Sequence, residues 1–484
     1  MRDYSLVKIN LTGGIASPGM LEGILLMAQK AGVKEVSIGA RQQLLMWVKA
    51  DTQRGSGLPS LRESLEAMHI DFEIDTHQYP NIISSYCAQE VFQTGQWLSE
   101  GIYRDVLDGF DFQPQLKINI SDYQQSFTPF FTGNLNFIAS SIPNFWYLYI
   151  RQKQSNTIFR FPLLIYTLEI SKVSKRLEGI LLSGADLSEE EIYEKMIAQG
   201  EIISQLVQED LVLPQFMLPY YEGFNRYGNK TWLGIYRRHE TFEVAFLLDV
   251  CKICLDTKVG QICTTPWKSL IIKGIENQDR ASWDKLLGKY GINVRHAANE
   301  LNWQVEDHCQ EGLALKNTII REFDQEDIRT FGLCFAIQTR SKSEVFGSVV
   351  IKKRKILAGL TQVYDVYHTV DFNPNTRQLV LFEKGLHKAH IAEILQRLTK
   401  RYYHRSTASI AEKPLPPQTN STSTHQVHQC KVCMTIYDEK LGDSQQGINA
   451  GTKFEELPDN YCCPVCDSEK ENFEVKTVET AYQL

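Results

Sequence analysis

Met20–Met46 reads MLEGILLMAQKAGVKEVSIGARQQLLM, and Phe246–Ile272, displaced by 226 residues, reads FLLDVCKICLDTKVGQICTTPWKSLII. Without a gap, Met20, Leu21, Ile24, Val33, Val36, Leu44 and Met46 fall on Phe246, Leu247, Val250, Val259, Ile262, Leu270 and Ile272. Apolar positions that recur at one offset through a helix and a following strand point to duplication. Within each copy the order is strand, helix, strand. Leu6–Asn10 alternates, Pro18–Ala31 has helical apolar spacing behind the Ser17-Pro18 start, and Val36–Val48 is extended. This predicts half of an α+β sandwich, present twice. A weaker echo, NFWYLYI (Asn144–Ile150) against VYDVYHTV (Val363–Val370), predicts a strand near the end of an α/β unit after each copy. Long polar stretches such as Ser188–Gln208 read as helices with solvated faces.

At 484 residues the chain exceeds one typical domain, and 43% hydrophobic with 23% charged residues excludes wholesale disorder, collagen-like repeats and coiled coil. No apolar run approaches the roughly 20 residues that span a bilayer. The opening MRDYSLVKINLTGG lacks a signal-peptide pattern, so the expected compartment is the cytoplasm. Eleven cysteines, most of them single within apolar segments, suit reduced thiols there. Ser406–Thr424, STASIAEKPLPPQTNSTST, reads as a linker, and its 19 residues as coil would reach roughly 25 Å. Beyond it, His425–Lys476 holds five Lys and no Arg against ten Asp and Glu, so most of the net charge of −7 sits there. An acidic unit of this kind disfavours nucleic acid and favours a basic protein surface.

Cys430-Lys-Val-Cys433 and Cys463-Pro-Val-Cys466 are two CxxC knuckles separated by 29 residues, a pattern that lets four thiolates converge on one metal. Soft tetrahedral sulfur sites take iron or zinc, and spacing alone does not choose. The surrounding residues do. Tyr437-Asp438, a Gly-rich middle ending in Phe454-Glu455-Glu456-Leu457-Pro458-Asp459, Tyr461 before the second knuckle, then Lys470 and Phe473, closely resemble a rubredoxin. That resemblance implies one iron per chain held by Cys430, Cys433, Cys463 and Cys466, shuttling between Fe(III) and Fe(II). Two positions depart from it. Rubredoxins place Gly after each knuckle, where this chain has Met434 and Asp467, which strains the turn or shifts the potential. Cys462 reads as a filler of a normally apolar position rather than a ligand.

Residues 1–405 resemble the sirohaem-dependent nitrite and sulfite reductases through IGARQQLLMWV (Ile38–Val48), TTPWKSLIIKGI (Thr264–Ile275), LKINIS (Leu116–Ser121) and YDVY (Tyr364–Tyr367). The resemblance implies two ferredoxin-like halves and two α/β domains: 1–80 and 81–229, then 230–300 and 301–405. A linker over 406–424, a rubredoxin-like domain over 425–476 and a tail over 477–484 follow. By match, Arg41 and Lys117 would hold sirohaem carboxylates or an anion, against the plainer reading that Arg41 caps a sheet edge and Lys117 is a surface strand residue. A second family lysine falls on Gln115, and a Gly-rich loop is replaced by RQKQSN. The family's [4Fe-4S] cluster needs C-x5-C and C-x3-C pairs. Cys309 and Cys334 stand near the first members, but Leu315 and Gln338 stand at the second, so neither the cluster nor sirohaem is favoured. Cys251 and Cys254 repeat Leu25 and Ala28 and read as core cysteines of a helix, while Cys87 reads as buried in an apolar strand. His387 and His390 read as a solvated helix face, and no nucleotide, flavin or nucleophile-elbow motif is present.

The resulting expectation is an electron carrier on a reductase-like scaffold without its cluster, with redox protein partners bearing basic docking surfaces. Contact between the iron domain and its own body is a further expectation; nucleic acid and membrane spans are not expected. The alternatives are an active nitrite or sulfite reductase with an on-board donor, and a zinc-ribbon scaffold.

Overall fold

Ser17 starts the first helix: its hydroxyl accepts the N–H of Met20 at 3.2 Å and Pro18 takes the first position of Pro18–Lys30. The helix at the 226-residue offset, Val244–Asp256, is also 13 residues long. The computed structural model describes residues 3–50, 57–92, 97–152, 157–183, 187–341, 343, 345–356, 361–411, 424–443, 446–466 and 468–479. They form two compact units that divide between His404 and Arg405.

The Val36–Val48 stretch is not one extended run. Glu35–Ile38 and Leu44–Lys49 are antiparallel strands, joined by a turn in which Gly39 N–H donates to Gln43 and Gln42 N–H to Gly39, both at 2.9 Å. The second copy repeats it, with Thr265 N–H to Ser269 at 3.0 Å and Lys268 N–H to Thr265 at 3.1 Å. Gln42 and Lys268 both sit at positive φ, 61° and 56°, so the duplication extends to single hydrogen bonds.

The two copies interleave. Thr241–Glu243 of the second completes the edge of the first sheet beside Glu35–Ile38, and Ile15–Ala16 of the first completes the second sheet beside Ile262–Thr264. Leu21, Ile24 and Leu25 bury with Phe246, Val250 and Cys251 in one shared core, so the two copies are halves of a single body. Burial of such apolar faces is the main stabilising term.

Each copy is followed by a sheet of the same design. Ile83–Ser84, Ile118–Ser121 and Leu135–Ala139 are parallel and Phe145–Ile150 returns antiparallel. Trp303–Val305, Phe335–Gln338 and Val349–Ile356 are parallel and Thr361–Thr369 returns antiparallel. The two echoing segments are therefore the fourth strands of equivalent sheets.

Four local expectations are corrected. The polar helix after Ser188 is only Glu189–Ala198, opened by a Ser188/Glu191 capping box. Gly200 at φ +112° turns the chain, and Ser204–Leu206 joins a sheet edge beside Leu163–Tyr166, where tertiary pairing overrides helical propensity. Cys87 is buried as expected, but in the short 3-10 turn Ser85–Ala88. His387 caps the 3-10 turn Lys388–His390 instead of sharing a helix face with His390. The helix Ile391–Ala411 runs six residues into the expected linker; 412–423 lie outside the described residues. Cys251 and Cys254 are buried on the helix Val244–Asp256, as expected.

The C-terminal unit is a three-stranded sheet, Ile436–Tyr437, Thr424–Cys430 and Phe473–Glu479, around a small core of Tyr437, Leu457, Tyr461 and Phe473. Its last strand extends past Lys476 into the segment read as a tail. Among the described residues no helix is long and apolar enough to cross a membrane.

Candidate metal centre

Each CxxC segment is a tight turn closed by the same backbone bond: Cys430 N–H donates to Thr435 and Cys463 N–H to Ser468, both at 2.8 Å. The turns face each other and bring the sulfurs of Cys430, Cys433, Cys463 and Cys466 within 4.8 Å of one another. Across the turns, Cys430 and Cys466 are 3.6 Å apart and Cys433 and Cys463 3.4 Å. A tetrahedron with metal–sulfur bonds of about 2.3 Å has edges of about 3.8 Å, so the group fits one metal ion and not two disulfides.

Charge at the sulfurs is compensated by donors. The Ser468 hydroxyl, then the N–H groups of Cys433 and Val432, hold the Cys430 thiol down at about 6. The Thr435 hydroxyl and N–H likewise lower Cys433. Cys463 is fully buried, and burial pushes its thiol up to about 11. Such thiols give up their protons to a bound cation. Behind them, Tyr437 and Tyr461 pack with ring centroids 5.7 Å apart, and Phe454 and Phe473 5.3 Å apart. Tyr461 donates to Asp443 at 3.1 Å, Tyr437 to the Thr452 carbonyl at 2.8 Å, and Lys470 to the Leu457 carbonyl at 2.7 Å, which satisfies the polar tips of an apolar wall. The outward side differs: Val432, Met434 and Val465 are 66%, 63% and 69% exposed.

Residues 427–473 match the rubredoxin family. Rubredoxin-2 of Chlorobaculum tepidum is 50% identical over 44 residues, which are 85% of that protein and 9% of this chain. The chain belongs to the rubredoxin family. Its rubredoxin domain is also 50% identical over 44 residues to Rubredoxin-2 of Ectopseudomonas oleovorans, of whose length this chain spans a quarter (25%). The larger unit is similar to a different protein. The structure of the Mycobacterium tuberculosis NirA protein superposes with a TM-score of 0.62 at 12% identity, covering 86% of this chain and 82% of that one, a likeness of fold. The chain thus joins a rubredoxin domain, whose four-cysteine group supports iron, to a body with the fold of the NirA protein.

The described residues hold no second group of three or more His, Cys, Asp or Glu donors at metal-binding distance. Cys309 Sγ accepts from Gly312 N–H at 3.3 Å, and Cys334 Sγ accepts from Ser348 N–H at 3.2 Å. Leu315 lies in the apolar core and Gln338 is half-buried at a strand end. The Arg41 guanidinium donates to the carbonyls of Asn81 at 2.8 Å and Ile118 at 3.0 Å, tying the first copy to the following sheet. Lys117 is half-buried beside the start of a strand, its carbonyl accepting Asn134 N–H at 2.6 Å. Cys462 stays outside the sulfur group; its thiol donates to the Asn460 carbonyl at 3.6 Å, and it is half-buried rather than packed as an apolar filler. Asp467 lies outside the described residues. The sequence reading passed over Thr435 and Ser468, although each stands two residues beyond the second cysteine of its knuckle. It also passed over His428, stacked on Phe454 at 3.9 Å.

Proposed function

We propose that this chain carries electrons one at a time on a single iron held by Cys430, Cys433, Cys463 and Cys466, and that its body has lost the ligands of an iron–sulfur cluster. The observation that supports the carrier role is the four-sulfur group inside a rubredoxin fold. Iron, when bound, supplies a one-electron Fe(III)/Fe(II) couple. The chain's own residues do the rest. The thiolates hold the ion, Tyr437, Tyr461 and Phe473 exclude water from one side, and backbone N–H groups and hydroxyls offset charge on sulfur. The exposed Val432, Met434 and Val465 leave the other side open to a redox protein. The acidic balance of the domain suits a partner with a basic face.

Loss of the cluster is supported by the donor sets of Cys309 and Cys334, each engaged separately with neighbouring amides. Arg41 and Lys117 are proposed as the contacts of any anion or tetrapyrrole that the body retains. The hydrogen bonds of Arg41 to main-chain carbonyls favour a structural task for it instead. Free, buried Cys87, Cys251, Cys254 and Cys263 accord with a reducing compartment, proposed as the cytoplasm.

An absorption spectrum with metal analysis of the full chain, purified from an iron- and sirohaem-replete host, tests this reading. One iron per chain, with charge-transfer bands that bleach on one-electron reduction and no tetrapyrrole bands, is the expected result. Sirohaem bands that vanish in Arg41→Ala or Lys117→Ala would restore a catalytic body, and a colourless zinc protein would overturn the carrier role.

A further inference from the structure

The two knuckles end on the same device. Thr435 and Ser468 occupy equivalent places, each five residues beyond the first cysteine of its knuckle, and each accepts that cysteine's N–H through its carbonyl at 2.8 Å. That backbone bond places no demand on the side chain, so Ala or Val would serve it equally. Both positions nevertheless carry a hydroxyl, and both hydroxyls reach sulfur. Thr435 Oγ1 lies 3.1 Å from Cys433 Sγ. Ser468 Oγ lies 2.6 Å from Cys466 Sγ and 3.5 Å from Cys430 Sγ, and so touches one sulfur of each knuckle. A metal-bound thiolate has no hydrogen to give, so in the loaded site the hydroxyl is the donor and sulfur the acceptor.

We propose that the Thr435 and Ser468 hydroxyls set the reduction potential of the iron centre, raising it by donating hydrogen bonds to the ligand sulfurs, with Ser468 the stronger because its hydroxyl, which has one proton to give, stands closer to a sulfur than that of Thr435. The step concerned is the uptake of one electron from a reduced partner protein, which is itself oxidised by one electron. Iron goes from Fe(III) to Fe(II), no bond breaks and no proton moves. The centre gains one negative charge, part of which falls on the four sulfurs. A donor dipole aimed at sulfur stabilises the more negative, reduced form more than the oxidised one, so it favours reduction. The hydroxyls are half-buried, where such dipoles are less screened than in open water. Nothing in the knuckle pattern requires them, which makes this an adjustment particular to these two positions.

The inference rests on the iron reading above, and one experiment separates the two. The iron-loaded full chain is titrated spectroelectrochemically beside Ser468→Ala, Thr435→Val and Thr435→Ser, with iron content measured on each. The expected result is a negative shift of potential in Ser468→Ala, a smaller one in Thr435→Val, and none in Thr435→Ser, which keeps the hydroxyl. Retention of iron in the variants shows that the shift is electronic and not loss of the site. Iron-loaded Ser468→Ala and Thr435→Val with the parent potential, or a higher one, would overturn the inference and leave the iron reading standing. If Ser468→Ala does not hold iron, the Thr435 pair decides: a shift in Val that is absent in Ser supports the proposal, and equal potentials overturn it. A parent chain that takes up zinc alone would overturn both.

Discussion

Met434 follows the second cysteine of its knuckle with φ at 63°, the left-handed region in which a side chain costs roughly 1–2 kcal/mol and Gly costs little. Its side chain is 63% exposed and gains little from packing in return. Met434→Gly should therefore raise the stability of the iron unit by about 1 kcal/mol, read from the guanidinium midpoint at which the visible bands bleach. An unchanged or lower midpoint would mean that the thioether contributes something its exposure hides. Cys433→Ser should abolish or shift the iron chromophore while the far-UV signal of the larger unit persists, since no residue of that unit belongs to the sulfur group. Both knuckle cysteines and the strained position were legible in the sequence, because spacing and residue type carry them. Thr435 and Ser468 were not, because their role depends on which way a short side chain points.

Two turns at equivalent positions show what elements inherit from duplication and what they do not. Gln42 and Lys268 share backbone geometry, yet Gln42 donates to the Thr264 carbonyl at 2.9 Å, whereas Lys268 is buried and donates to Glu240 at 2.5 Å and to the Val305 carbonyl at 2.8 Å. Removing one member of such a pair leaves the other charge buried without its closest partner. Lys268→Met should lower unfolding stability by about 3 kcal/mol, measured by urea denaturation of the full chain. The strand pair Tyr4–Ile9 and Phe72–Ile74 carries another internal ion pair, Lys8 with Glu73. Burial works to raise the Glu73 carboxyl, but Lys8, the Gln78 N–H and the Thr76 hydroxyl together hold it below its ordinary value. A lowered folded value means the contribution is complete above the unfolded carboxylate range and is lost as pH falls through the folded one. Acid should accordingly weaken the parent more than Glu73→Gln, whose own cost at neutral pH is about 2 kcal/mol, between exposed and fully buried pairs. Parallel loss of stability in both on acidification would contradict the pairing.

At the scale of the molecule, the two compact units have separate hydrophobic cores, with Tyr437, Leu457, Tyr461 and Phe473 in the smaller. Stripping the metal with acid and chelator should abolish the calorimetric transition of the rubredoxin domain and leave that of the larger unit in place, because in so small a domain the metal supplies much of the folding free energy. A single transition that moves as a whole would mean that the units unfold together. The duplication, the helix starts, the four-cysteine group and the rubredoxin resemblance could all be read from residue order, since each rests on local spacing, periodicity or a turn signal. The exchange of Ile15–Ala16 and Thr241–Glu243 between sheets could not, nor could the shared core of the two copies, the shortened helix after Ser188 or the partners of Arg41. Each of these is decided by residues far apart in sequence competing for the same sheet edge, carbonyl or buried face, and that competition is resolved only when the chain closes on itself.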